Sequence, residues 1–423
     1  MGRIGILGKL IFFIGIILID LYVFQAVKTA SKKLNNKVRK IIFIAYWSLT
    51  VFSCSVLIAW AVIGVEHLPR AFILYGFGLV VVSFFAKLFT IIFLLIDDII
   101  RVFRFIFRKI NSIFSATDPT PGQEKITRIK FLSQTGLIMS ALPFTSMIYG
   151  MIRGPFRFEV RKINLSFPNL PQAFDKIRIL QISDIHSGSF LSTEPMQRLV
   201  NVVLEQKPDL IFFTGDLVNN MTSEVHEFVD IIKKIEAPMG VYSILGNHDY
   251  GDYVQWPTHE EKKANLDELK KVQNDLGWKL LLNENVLIEK DGESIGLVGV
   301  ENWSRMLRFP KYGDTDKAVA NMPSVPFKIL LSHDPSHWKA EILKRFKDMD
   351  LTLSGHTHGF QFGVEIPNFK WSPVQYVYKE WAGLYQSGSQ YLYVNRGAGF
   401  LGYPGRVGIM PEITVFELNR SLS

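Results

Sequence analysis

The stretch LSGHTHGFQFG, residues 353–363, places His356 and His358 two positions apart at the end of an apolar run. Polar clusters also end four earlier apolar runs, and most of their members are Asp or His. Carboxylate oxygen and imidazole nitrogen without thiolate suit hard to borderline divalent cations such as Mn, Fe, Zn or Mg. The candidate metal ligands are Asp184, His186, Asp216, Asn247, His333, His356 and His358.

This set is too large for one tetrahedral ion. A pair of ions that share one carboxylate would use every member, and two metals ~3.5–4 Å apart form a clamp for in-line displacement at phosphorus. Taken alone, His333 in SHDP is more typical of a residue that caps a strand end. The complete set favours a metal ligand.

Five apolar runs must position these side chains: IRILQISDIH, PDLIFFTGD, GVYSILGNHD, FKILLSHDP and LTLSGHTHG. Each run of Ile, Leu, Val and Phe predicts a buried strand that delivers polar groups at its carboxyl end. Sites in open α/β sheets lie at those ends. Gly215, Gly246 and Gly355 precede ligands, where a residue without Cβ lets the backbone turn sharply.

The motifs Asp184-x-His186, Gly215-Asp216, Gly246-Asn247-His248-Asp249, His333 and Gly355-His356-x-His358 resemble, in order, the signature of the calcineurin-like metallophosphoesterases. Each block is common by chance, but five in order are highly specific. The segment FEVRKINLSFPNLPQAFDKIRILQISDIH also resembles the membrane-anchored bacterial branch of that family. The resemblance covers about Phe131 to the C-terminus.

The resemblance implies an α/β domain built as an αββα sandwich that holds two divalent ions, with Mn favoured. It implies one ion on Asp184, His186 and His358, and a second on Asn247, His333 and His356. Asp216 would bridge the two ions. His248 would be a non-ligand acid that stabilises the transition state while a hydroxide between the ions attacks phosphorus in line.

Two further residues have predicted roles beside this set. Asp249 is expected to orient His248 from behind. Arg396, in NRGAG, is expected to approach the substrate phosphate, because a guanidinium fork suits that geometry. A surface ion pair is the alternative for Arg396.

The first 152 residues predict a transmembrane region, and residues 153–423 the phosphoesterase domain. Four apolar stretches are long enough to span a bilayer, at about Ile4 to Ala26, Ile41 to Val65, Ala71 to Ile96 and Phe131 to Ile152.

Three basic residues, Arg101, Arg104 and Arg108, fall on one face of an otherwise apolar stretch, which favours an interfacial helix near residues 97–114. The alternative is a cytoplasmic extension of the third span. For Asp20 and Lys87, inside spans, helix-end snorkelling or packing is favoured over a transport path.

The net charge of +8 divides unevenly along the chain. Up to Lys130 there are 17 Lys and Arg against 6 Asp and Glu, and from Phe131 onward 30 against 33. The basic excess therefore belongs to loops that flank the membrane, and nucleic acid is not an expected partner. Positive residues favour the cytoplasm, so four spans predict both termini and the catalytic domain outside it, in the periplasm of a two-membrane bacterium. The one cysteine, Cys54, excludes a disulfide within the chain.

The long aromatic segment after the second HxH histidine contains Trp371, Tyr376, Tyr378, Trp381 and Tyr385. It predicts either a lid or membrane-facing rim, or simple packing over the sheet.

Three functions are compatible with the sequence. The first is a phosphoesterase outside the cytoplasm that acts on a lipid-linked or envelope phosphoester. The second is a UDP-2,3-diacylglucosamine-type pyrophosphohydrolase, which needs a cytoplasmic site. The third is a non-enzymatic membrane scaffold, which loss of a ligand would have favoured; every ligand is present.

Overall fold

A computed structural model describes residues 6–64, 67–114 and 125–421 of the chain. The chain forms two compact units, Met1–Tyr149 and Gly150–Ser423.

The first unit is helical. Its long helices are α1 (Ile6–Ser31), α2 (Asn36–Ile63), α3 (Phe77–Phe114) and α4 (Lys125–Arg153), the last of which continues into the second unit. Within the described residues, four segments are long and apolar enough to cross a membrane, as predicted: Phe13–Ser31, Asn36–Ile63, Phe72–Ile110 and Ile129–Phe156. Residues 97–114 continue α3 without a break. Their placement among lipid headgroups stays a prediction.

The charged residues inside the spans pair with each other. Lys87 Nζ lies 2.5 Å from Asp20 Oδ1, and both side chains are buried. The Tyr46 hydroxyl donates a hydrogen bond to Asp20 Oδ1 at 3.0 Å. Pairing lowers the cost of charge in an apolar environment, which agrees with the packing interpretation.

The second unit contains two six-stranded sheets and a two-stranded hairpin. The strands of the first sheet, in spatial order, are β1 (Glu159–Phe167), β14 (Glu412–Arg420), β2 (Ile177–Ile182), β3 (Leu210–Phe213), β4 (Val241–Ser243) and β5 (Trp278–Leu280). Those of the second are β12 (Gly383–Ser387), β13 (Gln390–Val394), β9 (Leu351–Ser354), β8 (Lys328–Leu331), β7 (Glu293–Gly299) and β6 (Glu284–Lys290). The hairpin pairs β10 (Val364–Ile366) with β11 (Phe369–Trp371).

The two sheets enclose one apolar core. Side chains such as Phe212 and Phe416 from the first sheet and Leu331 and Leu353 from the second belong to a single buried cluster. This burial is the main favourable contribution to the stability of the unit.

The helices of this unit are α5 (Glu194–Glu205), α6 (Val229–Ile232), α7 (His259–Asp275), α8 (Thr315–Val319) and α9 (Leu343–Arg345). The outer face of the second sheet packs against Ala318 of α8 and the turn that precedes α9. The predicted α/β sandwich is confirmed.

The five apolar runs form β2, β3, β4, β8 and β9, as predicted. Strands β2, β3 and β4 are parallel neighbours in one sheet, and β8 and β9 are parallel neighbours in the other. Gln181 at the end of β2 donates to the backbone oxygen of Ser354 at the end of β9, at 2.9 Å. The carboxyl ends of the two sheets therefore meet at one place.

Candidate dinuclear metal centre

All seven predicted ligands lie in one buried cluster where the two sheets meet. Asp184 and His186 follow β2, Asp216 follows β3 and Asn247 follows β4. His333 follows β8, and the two histidines of the HxH motif follow β9.

One group of ligand atoms comes from Asp184, His186 and His358, whose donor atoms all lie within 4.8 Å of one another. The Nε2 atoms of His186 and His358 are 3.0 Å apart, and His358 Nε2 is 3.3 Å from Asp184 Oδ1. Two imidazole nitrogens and a carboxylate that face one point fit a divalent cation.

A second group surrounds Asp216. His333 Nε2 is 3.1 Å from Asp216 Oδ2, and Asp184 lies within the same 4.8 Å group. Nearby, His356 Nδ1 is 2.7 Å from Asn247 Oδ1. Asp216 Oδ2 also lies 3.5 Å from His186 Nε2, so this carboxylate sits between the two groups.

Hydrogen bonds on the far side of the rings fix which nitrogen faces the cluster. His333 Nδ1 donates to the backbone oxygen of Thr214 at 2.7 Å, which leaves Nε2 toward Asp216. His356 Nε2 lies 2.8 Å from the Tyr378 hydroxyl, which itself donates to Asp334 Oδ2 at 3.1 Å. His356 therefore presents Nδ1 to the cluster. Such outer partners are the usual support of metal-binding histidines.

One buried ring nitrogen fits a cation better than a hydrogen bond. Within the described chain, His333 Nε2 is buried and faces Asp216 Oδ2 at 3.1 Å without forming a hydrogen bond. A buried polar atom without a partner costs about 1–3 kcal/mol. The donor set of two carboxylates, one amide oxygen and four imidazoles therefore fits a pair of divalent ions.

The protonation of the cluster also suits metal binding, for which imidazole must be neutral and carboxylate ionised. Burial lowers the pKa of His186 to about 3 and that of His356 to about 4. Burial alone would raise the pKa of Asp216, but His333 and His248 outweigh it and hold that pKa well below its usual range. Burial would lower the pKa of His333, yet Asp216 raises it to about 10. A cation beside Asp216 would take the place of that proton.

The backbone of the cluster is strained where the ligands lie. Positive φ angles occur at five of the seven ligands, a conformation rare for residues other than glycine: Asp184 (51°), His186 (48°), Asp216 (60°), His356 (74°) and His358 (50°). Such strain persists where the surrounding structure fixes it, and it is concentrated at functional sites. The neighbouring glycines let the backbone pass close to the ligands. A Cβ on Gly355 would lie 2.2 Å from Asp184 Oδ2, which is too close for a side chain.

His248 lies beside the cluster, with its ring centre 5.0 Å from that of His186, and is only partly buried. Its backbone nitrogen donates to Asp216 Oδ1 at 2.8 Å, and its ring Nδ1 lies 2.7 Å from the backbone oxygen of Asn219. The carbonyl occupies Nδ1, and within the part of the chain that the structure describes Nε2 forms no hydrogen bond. This geometry suits an acid that donates a proton to a leaving group.

Asp249 differs from its predicted position behind His248. Its carboxylate accepts hydrogen bonds from the backbone nitrogens of Asp216 (2.8 Å), Leu217 (2.8 Å), Val218 (3.3 Å) and Gly246 (2.9 Å). Asp249 therefore ties together the loops that follow β3 and β4, and the Asn219 carbonyl is what orients His248.

Comparison with known proteins agrees with this geometry. The model of the calcineurin-like phosphoesterases matches residues 177–360, and one described as "probable calcineurin-like phosphoesterase, transmembrane domain" matches residues 3–155. The metallophosphoesterase YkuE of Bacillus subtilis is 31% identical over 304 residues, which cover 70% of this chain and 98% of YkuE. The chain belongs to the calcineurin-like phosphoesterase family.

Two further relatives have similar coverage. A zebrafish (Danio rerio) transmembrane protein with a metallophosphoesterase domain is 28% identical over 76% of this chain and 71% of its own length. The phosphodiesterase YaeI of Escherichia coli is 29% identical over 69% of this chain and 99% of YaeI. With its four apolar helices, the chain is a multi-pass membrane phosphoesterase.

The predicted role of Arg396 in this phosphoesterase is wrong. Its side chain is 2% exposed and forms ion pairs with Glu412 and, at 2.7 Å, with Glu365 Oε1. With both carboxylates bound, the guanidinium is not available to a phosphate. The alternative, a surface ion pair, is correct in that Arg396 pairs with carboxylates, but the ion pairs are buried. Glu365 and Glu412 converge on Arg396 from other parts of the chain.

The sequence did not reveal two buried residues that support the phosphoesterase centre. Tyr378 was one member of an aromatic segment, and no motif marked it as the partner of His356. Arg406 is fully buried and donates to the backbone oxygens of Arg396 (2.8 Å) and Gly397 (3.1 Å), with Nη2 3.2 Å from His358 Nδ1. Arg406 thereby holds the loop after β13 against the HxH motif.

The aromatic segment is divided between the two predicted arrangements. Tyr378 and Trp381 are buried in a small apolar cluster with Ile409. Tyr376 is 76% exposed. Part of the segment therefore packs over the sheet, and part faces outward.

Proposed function

We propose that the protein is a membrane-anchored, dinuclear-metal phosphoesterase that acts outside the cytoplasm on a lipid-linked or envelope phosphoester. The observation that supports this most directly is the convergence of the seven ligands, with Asp216 between two groups. Mn is the favoured metal. The four spans restrict the domain to the membrane surface, where lipid-linked phosphoesters are concentrated.

In this proposal Asp184, His186 and His358 would hold one ion, Asn247, His333 and His356 would hold the other, and Asp216 would be shared. When bound, such a pair supplies an activated water and neutralises charge on the phosphoryl oxygens. His248 donates a proton to the leaving oxygen from its free Nε2, while Asn219 keeps its ring in place.

Arg308, rather than Arg396, is proposed to bind the substrate phosphate. Its guanidinium carbon lies 4.6 Å from the centre of the Phe309 ring, and that ring packs edge-on to His356 at 4.7 Å. Burial raises the pKa of Tyr253 and Tyr378, and the charge of Arg308 opposes the rise at both. Arg308 is exposed and, within the described residues, has no carboxylate partner. A free guanidinium beside the Asn247–His356 pair suits a phosphoryl anion.

The test of this function is hydrolysis of bis(p-nitrophenyl) phosphate and p-nitrophenyl phosphate by the purified full chain, with and without Mn. The name of YaeI, a phosphodiesterase, makes the diester the first choice. We expect Mn-dependent turnover that is lost in Asp216→Ala. Full turnover after removal of metal by a chelator, or in Asp216→Ala, would refute the proposal.

A further inference from the structure

The hairpin of β10 and β11 carries its apolar side chains on one outward face. The register pairs Val364 with Trp371 and Ile366 with Phe369. Directly opposed residues, and residues two apart on a strand, share a face. Val364, Ile366 and Phe369 are 45%, 57% and 53% exposed. We call these four residues the hairpin face.

Charged residues occupy the opposite face and bond to the rest of the unit. Glu365 accepts hydrogen bonds from Arg161 at 3.0 and 2.9 Å and from Arg396 at 2.7 Å. Lys370 donates to the backbone oxygen of Ala382 and to the Tyr385 hydroxyl. This inverts the usual order, in which the apolar face of a strand packs inward and the polar face is solvated. The ion pairs fix the hairpin with its apolar face outward.

The hairpin lies beside the point where the chain enters this unit. Gly363 N donates to Val407 O at 2.9 Å, and Arg406 N donates to Gly150 O at 3.2 Å. A Cβ on Gly150 would lie 2.6 Å from Val407 Cγ2, so the entering chain touches the strand-like segment that holds the hairpin. Gly150 belongs to the segment Ile129–Phe156, which is apolar and long enough to cross a membrane.

Neighbouring residues extend the same exposed surface. Tyr376 is 76% and Val377 54% exposed, and Trp371 Nε1 lies 3.4 Å from the Tyr376 hydroxyl. Trp and Tyr are enriched at membrane–water interfaces, where a ring has one apolar and one hydrated side. Exposed apolar clusters of this kind mark interaction sites.

We propose that the hairpin face docks into the interfacial layer of the bilayer that holds the chain's own helices. The occupant is phospholipid, because Gly150, which approaches the segment that holds the hairpin, belongs to a helical segment long and apolar enough to cross a membrane. The proposal rests on the membrane spans and not on the hydrolytic function. Since Tyr378 follows the hairpin and contacts His356, docking would also set the orientation of the metal centre relative to the lipid headgroups.

The experiment uses the full chain with Cys54→Ser and one new cysteine, Ile366→Cys, labelled with an environment-sensitive fluorophore. The protein is placed in nanodiscs of phosphatidylethanolamine and phosphatidylglycerol, one copy to a disc. The matched control is Leu204→Cys on α5, an aliphatic residue that is 37% exposed. We expect a blue-shifted emission at position 366 and quenching by spin-labelled lipids several-fold stronger than at 204. Addition of Phe369→Glu should reduce both to the control level.

Equal emission and equal quenching at positions 366 and 204 would overturn the proposal. So would a blue shift at 366 without lipid quenching, because it would place a second copy or another protein on the hairpin face. The readout needs no turnover, so its failure is distinguishable from a failure of the proposed hydrolysis.

Discussion

The histidines of the metal centre are oriented by hydrogen-bond partners that lie outside it. Three ring nitrogens of the centre are aimed by partners outside it, namely a backbone oxygen for His333, another for His248 and a phenol for His356. Five of the seven ligands are themselves held in left-handed backbone conformations. Supporting residues should therefore affect metal affinity, and residues at the mouth should affect substrate binding.

Tyr378→Phe tests the first expectation. The substitution removes the oxygen that accepts from His356 Nε2 and keeps the buried ring. Loss of such an outer partner typically weakens metal binding about 10- to 100-fold. Competition with a chelating dye measures the affinity. Tyr376→Phe, at an exposed tyrosine, is the control and should bind metal like the wild type; an unchanged affinity in Tyr378→Phe would show that Tyr378 does not support His356.

Arg308→Ala tests the second expectation. If the guanidinium binds the substrate phosphate, the variant should raise KM about 10-fold or more, in line with the roughly 1.5–3 kcal/mol of a charged hydrogen bond. Metal content should stay at the wild-type level. Arg305→Ala, three positions earlier and also exposed, should leave KM unchanged. Equal KM values for the two variants would remove Arg308 from the substrate site.

At the scale of elements, one carboxylate joins the loops that follow neighbouring strands. Asp249→Asn keeps the size of the side chain but turns an NH₂ group toward two backbone N–H donors. We expect about 1–3 kcal/mol lower free energy of unfolding for the catalytic domain, together with weaker metal binding, because Asp216 and Asn247 lie on those loops. Thermal unfolding measures the change. Asp230→Asn, on an exposed position of α6, should be neutral, and equal stability of both variants would contradict this role.

The elements also show what the sequence could predict. Each ligand lies directly after an apolar run, so period and composition located β2, β3, β4, β8 and β9, and parallel pairing brings their carboxyl ends together. Tyr378, Arg308 and Arg406 lie in irregular segments without periodicity. The error at Arg396 has the same origin, since Glu365 and Glu412 approach it through sheet and hairpin pairings that no local pattern encodes.

At the scale of the whole molecule, the charges around the spans predict which side of the membrane the catalytic domain occupies. In a Cys54→Ser background, a membrane-impermeant maleimide should label Ser389→Cys, in the β12–β13 turn, in intact spheroplasts. It should label Asn36→Cys, at the first position of α2 beside the basic loop, only after permeabilisation. The reverse pattern would place the domain in the cytoplasm and favour a pyrophosphohydrolase of the UDP-diacylglucosamine type.

The most direct measurement is the number of divalent metal equivalents bound per purified full chain after reconstitution with Mn, determined by elemental analysis. The account predicts two equivalents in the wild type, two in His248→Ala with turnover reduced about 10²- to 10⁴-fold, and a loss of bound metal in Asp216→Ala. Fewer than one equivalent in the wild type, or full occupancy in Asp216→Ala, would contradict it.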